Sequence, residues 1–561
     1  MKKINEVIFF PVLVVAVMAI SLAASLISQG AGELHLTYTF LLKQDVWLIV
    51  IEVVIVAACL WKLPVRTYLP ETQITAVYAL GFTMMIVAFA GHYLILDAYD
   101  MSRDEQLANF DAMIFENGRF VAQLPELWRA NAEVLNTMYT HHSAGDGAWA
   151  SKYLPANAAI RSVFALAGLK PLVSPAMVLL GAIALWGCVR RLWPEDYQSA
   201  TVALLLYSGS AAVLVNGMTS YAMPAHLAIN LCWLWLFMRQ RWWADTIAIF
   251  VAFVAVGLHR PTVHPLFSAP VLATLLLNKE WHRSVYFFIG YLFIGLFWFW
   301  YPSYIADLIG PHAHADHVSI FDQIKNSWRS TSSTYFPLMI ANLVRFVAWQ
   351  HVLLIPLALL STSLIKRNRI VAALAGGIFL TLLVRTFFQP YQGHGFGYRY
   401  LHGLIGNFIL LAVFGWNAIK ERLPQVNALI LRTTSAGVLM VLPVQLYMAN
   451  RFYAPYAEVS ARIGRLPADY VVVGAADAPF AQDLVINDPF LEERPIRLLR
   501  EFITPQLLDK VCASHPVMKF ITPAELADIR AYYIGKDMSE KGLSGSQLPR
   551  IAASKGCEVK F

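Results

Sequence analysis

Asp104 and Glu105 are the residues whose type and placement first suggest chemistry. They lie in Asp97–Pro125, DAYDMSRDEQLANFDAMIFENGRFVAQLP, which holds six acidic residues and follows directly on the apolar run Thr75–Leu96. A carboxylate kept partly dry where an apolar helix meets water can take a proton from a hydroxyl. Ser102-Arg103-Asp104-Glu105 fits a capping box, with Ser102 as N-cap and Glu105 reaching back to its amide. That use occupies Glu105 and leaves Asp104 for other work. Asp111, seven residues after Asp104, projects from nearly the same helix face, where it would orient an acceptor or hold a metal. The plainer account is a charged helix start whose carboxylates complement the helix dipole.

Cations form a second group. His92, His226, His259, Arg260, His264, Arg345, His351, Arg385, His394, Arg399 and His402 fall at the same ends of apolar runs as the acidic stretch. A cation there is costly without a partner and reads by default as functional. An anion at that surface would compensate the group. Arginine is the better phosphate clamp because its planar fork binds two oxygens. Arg399 in GHGFGYRY and Arg260 in LHRPTVHP are the leading candidates, with Arg385, His259, His394 and Tyr398 beside them. A third group, His312, His314 and His317 in HAHADH, reads first as a polar or substrate-contacting loop, although its spacing is compatible with a divalent metal. The sequence has no Walker loop, no GxGxxG after a strand, no nucleophile elbow and no CxxC.

The elements that must position these residues are membrane helices. The 561-residue chain is 58% apolar and 14% charged, against about 25% charged in soluble domains. We expect an α-helical integral membrane protein with about 13 transmembrane helices. They are expected at 7–28, 46–61, 73–96, 172–190, 199–215, 222–238, 243–258, 264–278, 285–301, 343–364, 370–386, 403–418 and 427–448. The clusters Lys2/Lys3, Lys62/Arg66, Arg190/Arg191, Arg239/Arg241, Lys279/Arg283, Lys366/Arg367/Arg369 and Lys420/Arg422 then share one side. The positive-inside rule makes that side cytoplasmic, with the N-terminus inside and the C-terminus outside. The first span, whose SLAAS resembles a cleavage region, is expected to be retained. The net charge of +7 reflects these clusters and no nucleic-acid surface.

Outside the membrane lie 97–171, 302–342, 387–402 and the tail 449–561. A helix is expected from Ser102 to about Asn117, stopping at Gly118, with a second amphipathic, interface-lying stretch over 119–160. The tail reads as a small α/β domain. Its strands are expected at 470–477, 495–500 and 517–522, and its helices at 480–488 and 523–534. Cys59, Cys188 and Cys232 fall within spans as apolar residues. Cys512 and Cys557 share the tail and are either bridged or free.

The chain resembles the GT-C superfamily of polytopic glycosyltransferases, nearest the branch of lipid A aminoarabinose and protein mannosyltransferases. The segments that carry the resemblance are DEQLANFDAMIFENG, YLPANAAIRSVFALAGLKPLVSPAMVLLGAIALWGCVRRLW, TSYAMPAHLAINLCWLWLF and GYRYLHGLIGNF. Their order spans a GT-C-like core at 73–448, preceded by two additional helices in 1–72 and followed by a periplasmic α/β domain at 449–561. The WWDYG motif of oligosaccharyltransferases is missing. The resemblance implies a bacterial inner-membrane enzyme that transfers a single sugar, with inversion, from a polyprenyl-phosphate donor. The acceptor would be a hydroxyl of a glycan, lipid or protein. Asp104 would be the base, with Glu105 and Asp111 near it and the cations on the donor phosphate. No cofactor is required in that scheme, and a divalent metal is compatible with it. An O-antigen ligase or polymerase shares the outer-face logic. A transporter or lipid-carrier flippase would place ionisable residues near the midplane.

Overall fold

The computed structural model describes residues 2–28, 36–64, 67–142, 147–311, 335–389, 391–533 and 547–561. His312, His314 and His317 lie outside them. The chain is mostly helical, with two small sheets. Among the described residues six helices are long and apolar enough to cross a membrane, and further apolar helices of 10–17 residues accompany them. On the helix Trp281–Ile309 the rings of Phe288, Phe293 and Phe299 are 67%, 65% and 77% exposed. Such a run of bare aromatic surface suits lipid and not water. The chain is a multi-pass membrane protein with a small C-terminal α/β domain.

Contacts divide the chain into two compact units. The first comprises Met1–Gly91, Pro171–Phe297 and Val318–Ala449, and the second His92–Lys170, Trp298–His317 and Asn450–Phe561. In the first unit Met223–Phe237 packs on Val173–Leu192, Val263–Leu277 on Arg369–Phe388, and Leu354–Leu360 on Ile405–Ile419. The last pair approach so closely that a Cβ on Gly415 would overlap the Leu357 carbonyl. Every expected span contains helix, but two are broken. The segment 199–215 is Tyr197–Ser208 followed by Ala211–Asn216, and 343–364 is Tyr335–Ala348, Leu354–Leu360 and the turn Ser361–Leu364. The breaks satisfy one another: the Ala212 amide donates to the Trp349 carbonyl at 2.9 Å, and the Ser210 hydroxyl to Gln350 Oε1 at 2.5 Å. Periodicity cannot reveal such breaks, since the apolar run continues across them.

In the second unit the helix Arg103–Glu116 starts and stops where the capping box and Gly118 predict. The stretch 119–160 differs from expectation. It forms three short antiparallel strands, β1 (Ala122–Gln123), β2 (Thr140–His141) and β3 (Ala148–Ser151), ordered β1-β3-β2, with helical turns at Glu126–Arg129 and Ala132–Leu135. The amphipathic helix begins only at Ala156 and ends at Ala165. The last apolar helix runs on to Gly464. Beyond it, β4 (Tyr470–Val473), β5 (Ile496–Leu499), β6 (Val517–Phe520) and β7 (Glu558–Lys560) form a parallel sheet ordered β5-β4-β6-β7. The expected helix 480–488 is a single turn, Ala481–Leu484, and 523–534 is two short pieces, Pro523–Leu526 and Ala527–Tyr532. Leu107, Phe110 and Ile114 share one core with Trp128, Trp149, Val472, Leu498 and Phe520. The bridge Cys512–Cys557 closes that core, while Cys59 and Cys188 are buried free thiols and Cys232 is half-buried.

Candidate functional site

The acidic residues sit in the second unit at the start of Arg103–Glu116. Glu105 is fully buried. Its carboxylate accepts the Ser102 amide at 3.3 Å, the return half of the capping box, and the Tyr453 hydroxyl at 3.1 Å. The Arg161 guanidinium, 2% exposed, interacts with Glu105 and Asp100. Glu105 is therefore a packing and positioning group. Asp104 is only half-buried, and its Oδ1 accepts the Tyr153 hydroxyl. Tyr153 is itself stacked on Tyr139 at 5.7 Å. A half-exposed carboxylate held on a rigid aromatic arm is the arrangement a base needs.

Asp111, on the same helix, is buried and has a different partner. Its Oδ1 accepts the Ser151 amide on β3 at 3.0 Å, and burial raises its carboxyl to about 7 against the pull of that amide. Two further charged groups stand beside Asp104. Arg103 donates to the carbonyl of Asn136 at 2.9 Å and to Gln106 Oε1 at 3.1 Å, and burial lowers its pKa to about 10. Asp483, 3% exposed, is raised by burial to about 7, with Arg103 opposing and Asp104 reinforcing the shift. Burial likewise lowers Arg161 to about 10, against Asp100 and Glu105. Sequence reasoning missed Arg103, Tyr153, Arg161 and Asp483. Only Arg161 carried a signal, as a lone cation in the otherwise uncharged YLPANAAIRSVFALAG.

The candidate phosphate-binding cations sit in the first unit. Arg260 Nη1 and Arg385 Nη1 both donate to Gln389 Oε1 at 2.8 Å. Arg385 lies over the Tyr400 ring at 4.4 Å and feels the charges of both Arg260 and Arg399. Arg399 sits 5.2 Å from the Tyr221 ring and donates to the His394 carbonyl at 3.2 Å. Three guanidinium groups are thus brought together around Arg385. Arg385 Nε and the buried Tyr398 hydroxyl have no hydrogen-bond partner among the described residues, and neither ring nitrogen of buried His226 has one. His259 is half-buried next to Arg260.

Arg345 plays another part. It is fully buried, 3.5 Å from Asp45 and 3.8 Å over the Phe40 ring. It donates to the carbonyls of Gly397, at 3.0 Å, and Gly395. It therefore clamps the glycine loop that leads into Arg399. His264, bonded to Asn230 and Tyr291 at 2.8 Å each, and His351, bonded to Thr434 at 2.9 Å, are satisfied internal histidines. Among the described residues no cluster of His, Cys, Asp and Glu has the makings of a metal site.

Fold and site define a polytopic helical membrane protein with a braced carboxylate in one unit and gathered arginines in the other. Among solved structures the chain is similar to ArnT from Cupriavidus metallidurans in the apo state, at 13% identity and a TM-score of 0.47, covering 81% of this chain and 88% of that one. It is also similar to the same protein bound to undecaprenyl phosphate, at 14% identity and a TM-score of 0.46, covering 74% of this chain and 86% of that one. No protein-family model and no curated protein matches the sequence.

Proposed function

We propose that the chain is a glycosyltransferase that moves one sugar from a polyprenyl-phosphate donor to an acceptor hydroxyl at the outer face of a bacterial inner membrane. The observation that carries this reading is the convergence of Arg260, Arg385 and Arg399. Like charges gathered at partly buried positions attract an anion. A lipid phosphate supplies one whose charge grows during reaction, so the same groups favour the transition state over the ground state.

The acceptor oxygen attacks the anomeric carbon as the bond from that carbon to the phosphate oxygen breaks. The acceptor proton passes to Asp104, and the polyprenyl phosphate leaves with the bonding electrons. Attack from the opposite face inverts the configuration. The route as written needs neither nucleotide nor metal. Tyr153 fixes the Asp104 carboxylate, and Arg103 and Asp483 set the charge around it.

The test is direct. Purified protein in detergent should bind undecaprenyl phosphate, and Arg399→Lys, which keeps the charge but loses the fork, should weaken that binding and slow release of the carrier from its sugar-linked form. The product anomer, read by NMR, should be opposite to the donor's. Equal binding by wild type and Arg399→Lys would sink the arginine assignment, and no binding by either would sink the lipid-phosphate donor.

A further inference from the structure

We propose that the membrane unit holds a binding site for a small monovalent cation, centred on Glu52. The site is a cavity of about 440 Å³ of non-atom space, part of it open to the surroundings, among whose lining residues are Glu52, Ser208, Gln350, His351, Thr433 and Gln445. Backbone irregularity converges there. The helix Tyr197–Ser208 ends at Gly209, the helix Tyr335–Ala348 ends just before Gln350, and the last apolar helix is wound as a π-helix over Gly437–Val441. Irregular backbone within apolar spans is tolerated where it lines a cavity, and π-turns recur at functional sites. Glu52 is near the middle of Val46–Leu60, and the two breaks are near the middles of their own segments. The cavity thus sits far from either set of helix ends.

Glu52 is 4% exposed, and its Oε2 has no hydrogen-bond partner among the described residues. A lone carboxylate in so apolar a place is costly unless something compensates its charge. The lining offers no Lys or Arg. Its one other titratable group, His351, accepts the Leu353 amide on Nδ1 at 3.1 Å, which places its proton on Nε2, bonded to Thr434 Oγ1. His351 is thereby held neutral. Three of the remaining polar groups, Ser208, Thr433 and Gln445, present oxygen. The hydroxyl hydrogens of Ser208 and Thr433 are committed to the carbonyls of Leu205 and Leu429, and the Gln445 amide nitrogen to that of Ala348. Gln350 Oε1 accepts the Ser210 hydroxyl, and its Nε2 has no hydrogen-bond partner among the described residues. Carboxylate, amide and hydroxyl oxygens suit a hard cation. One carboxylate balances one positive charge, so a divalent ion would leave an uncompensated charge in the membrane. This inference does not depend on the transfer reaction proposed above.

The experiment uses the full chain purified in detergent at fixed pH and ionic strength, with choline chloride exchanged for LiCl, NaCl or KCl. One alkali cation should raise the thermal midpoint over choline by about 3 °C at saturation. The rise should saturate with concentration, vanish in Glu52→Gln and persist in Glu52→Asp. Should Glu52→Gln not fold, the near-isosteric Thr433→Val should need at least about threefold more cation for the same rise, or about 0.7 kcal/mol. Equal midpoints in all four salts would overturn the proposal. So would a cation effect that survives both Glu52→Gln and Thr433→Val. A midpoint that follows pH and not the cation would overturn it too, by showing that Glu52 carries a proton instead.

Discussion

At the scale of single residues, Asp104 and Asp111 lie seven residues apart on one helix and differ in burial and partner. Asp104→Asn keeps size and capping ability but loses basicity, and should cut turnover by about two to four orders of magnitude in a transfer assay. Glu105→Gln, still able to accept from Ser102 and Tyr453, should cost less. Tyr153→Phe should fall between them, because it frees Asp104 without removing it. Near-normal turnover in Asp104→Asn would make that carboxylate structural. Asp111 yields a different prediction. Burial raises it to about 7 in the folded protein, so between the ordinary carboxylate range and that value the folded state binds more protons than the unfolded one. Its contribution to stability is then full at low pH and shrinks as pH rises through that window. Asp111→Asn keeps the Ser151 hydrogen bond and cannot ionise. Between pH 5 and pH 8 its midpoint should fall less than that of wild type, by a margin worth about 1 kcal/mol or more. Asp104 was legible because a carboxylate at the end of an apolar run is conspicuous. Asp483 was not, because what makes it unusual is burial that only the fold creates, beside Arg103 and Asp104 from hundreds of residues away in the chain.

At the scale of elements, the glycine loop and the tail show what periodicity can and cannot reach. Gly393, Gly395 and Gly397 have φ of +71°, +128° and +71°, values that disfavour any side chain. A Cβ on Gly397 would also press within 3.2 Å of Trp349 Cβ. Gly397→Ala should therefore displace the loop that carries Arg399 and weaken undecaprenyl phosphate binding by about tenfold, an estimate resting on the strain of a single such position. Gly295→Ala, which meets nothing within 4 Å, is the matched control, and equal binding by both variants would show the loop to be irrelevant. In the tail, Cys512 and Cys557 are bridged across a separation of 45 residues. The double change to serine should remove about 4 kcal/mol in the chain-entropy account, seen as faster limited proteolysis of residues 470–561. The main strands were legible as β-branched and apolar runs. The short strands of 119–160 were not, because each is too brief to show a period and exists only by pairing across the loop.

At the scale of the molecule, topology decides whether the external chemistry is arranged as proposed. Charge alone put 97–171, 302–342 and the tail on one side of the membrane. The structure gathers His92–Lys170, Trp298–His317 and Asn450–Phe561 into one compact unit, and segments that share a core cannot lie on opposite faces of a bilayer. Contacts at the other helix ends agree. Arg191 donates to the Arg239 carbonyl at 3.1 Å, Arg369 to that of Leu277 at 2.9 Å, Arg283 pairs with Asp245 at 2.7 Å, and Lys420 with Asp196 at 2.6 Å. The basic clusters that charge assigned to the cytoplasm are thus drawn together in pairs, although their members are far apart in sequence. Ser554, exposed in the C-terminal domain, gives the test. With Cys232 changed to serine to lower the background, Ser554→Cys should react with a membrane-impermeant maleimide once the outer barrier is opened and the inner membrane is intact. Labelling that appears only after the inner membrane is permeabilised would place the second unit in the cytoplasm. Asp104 would go with it, and a donor presented at the outer face could not be its substrate.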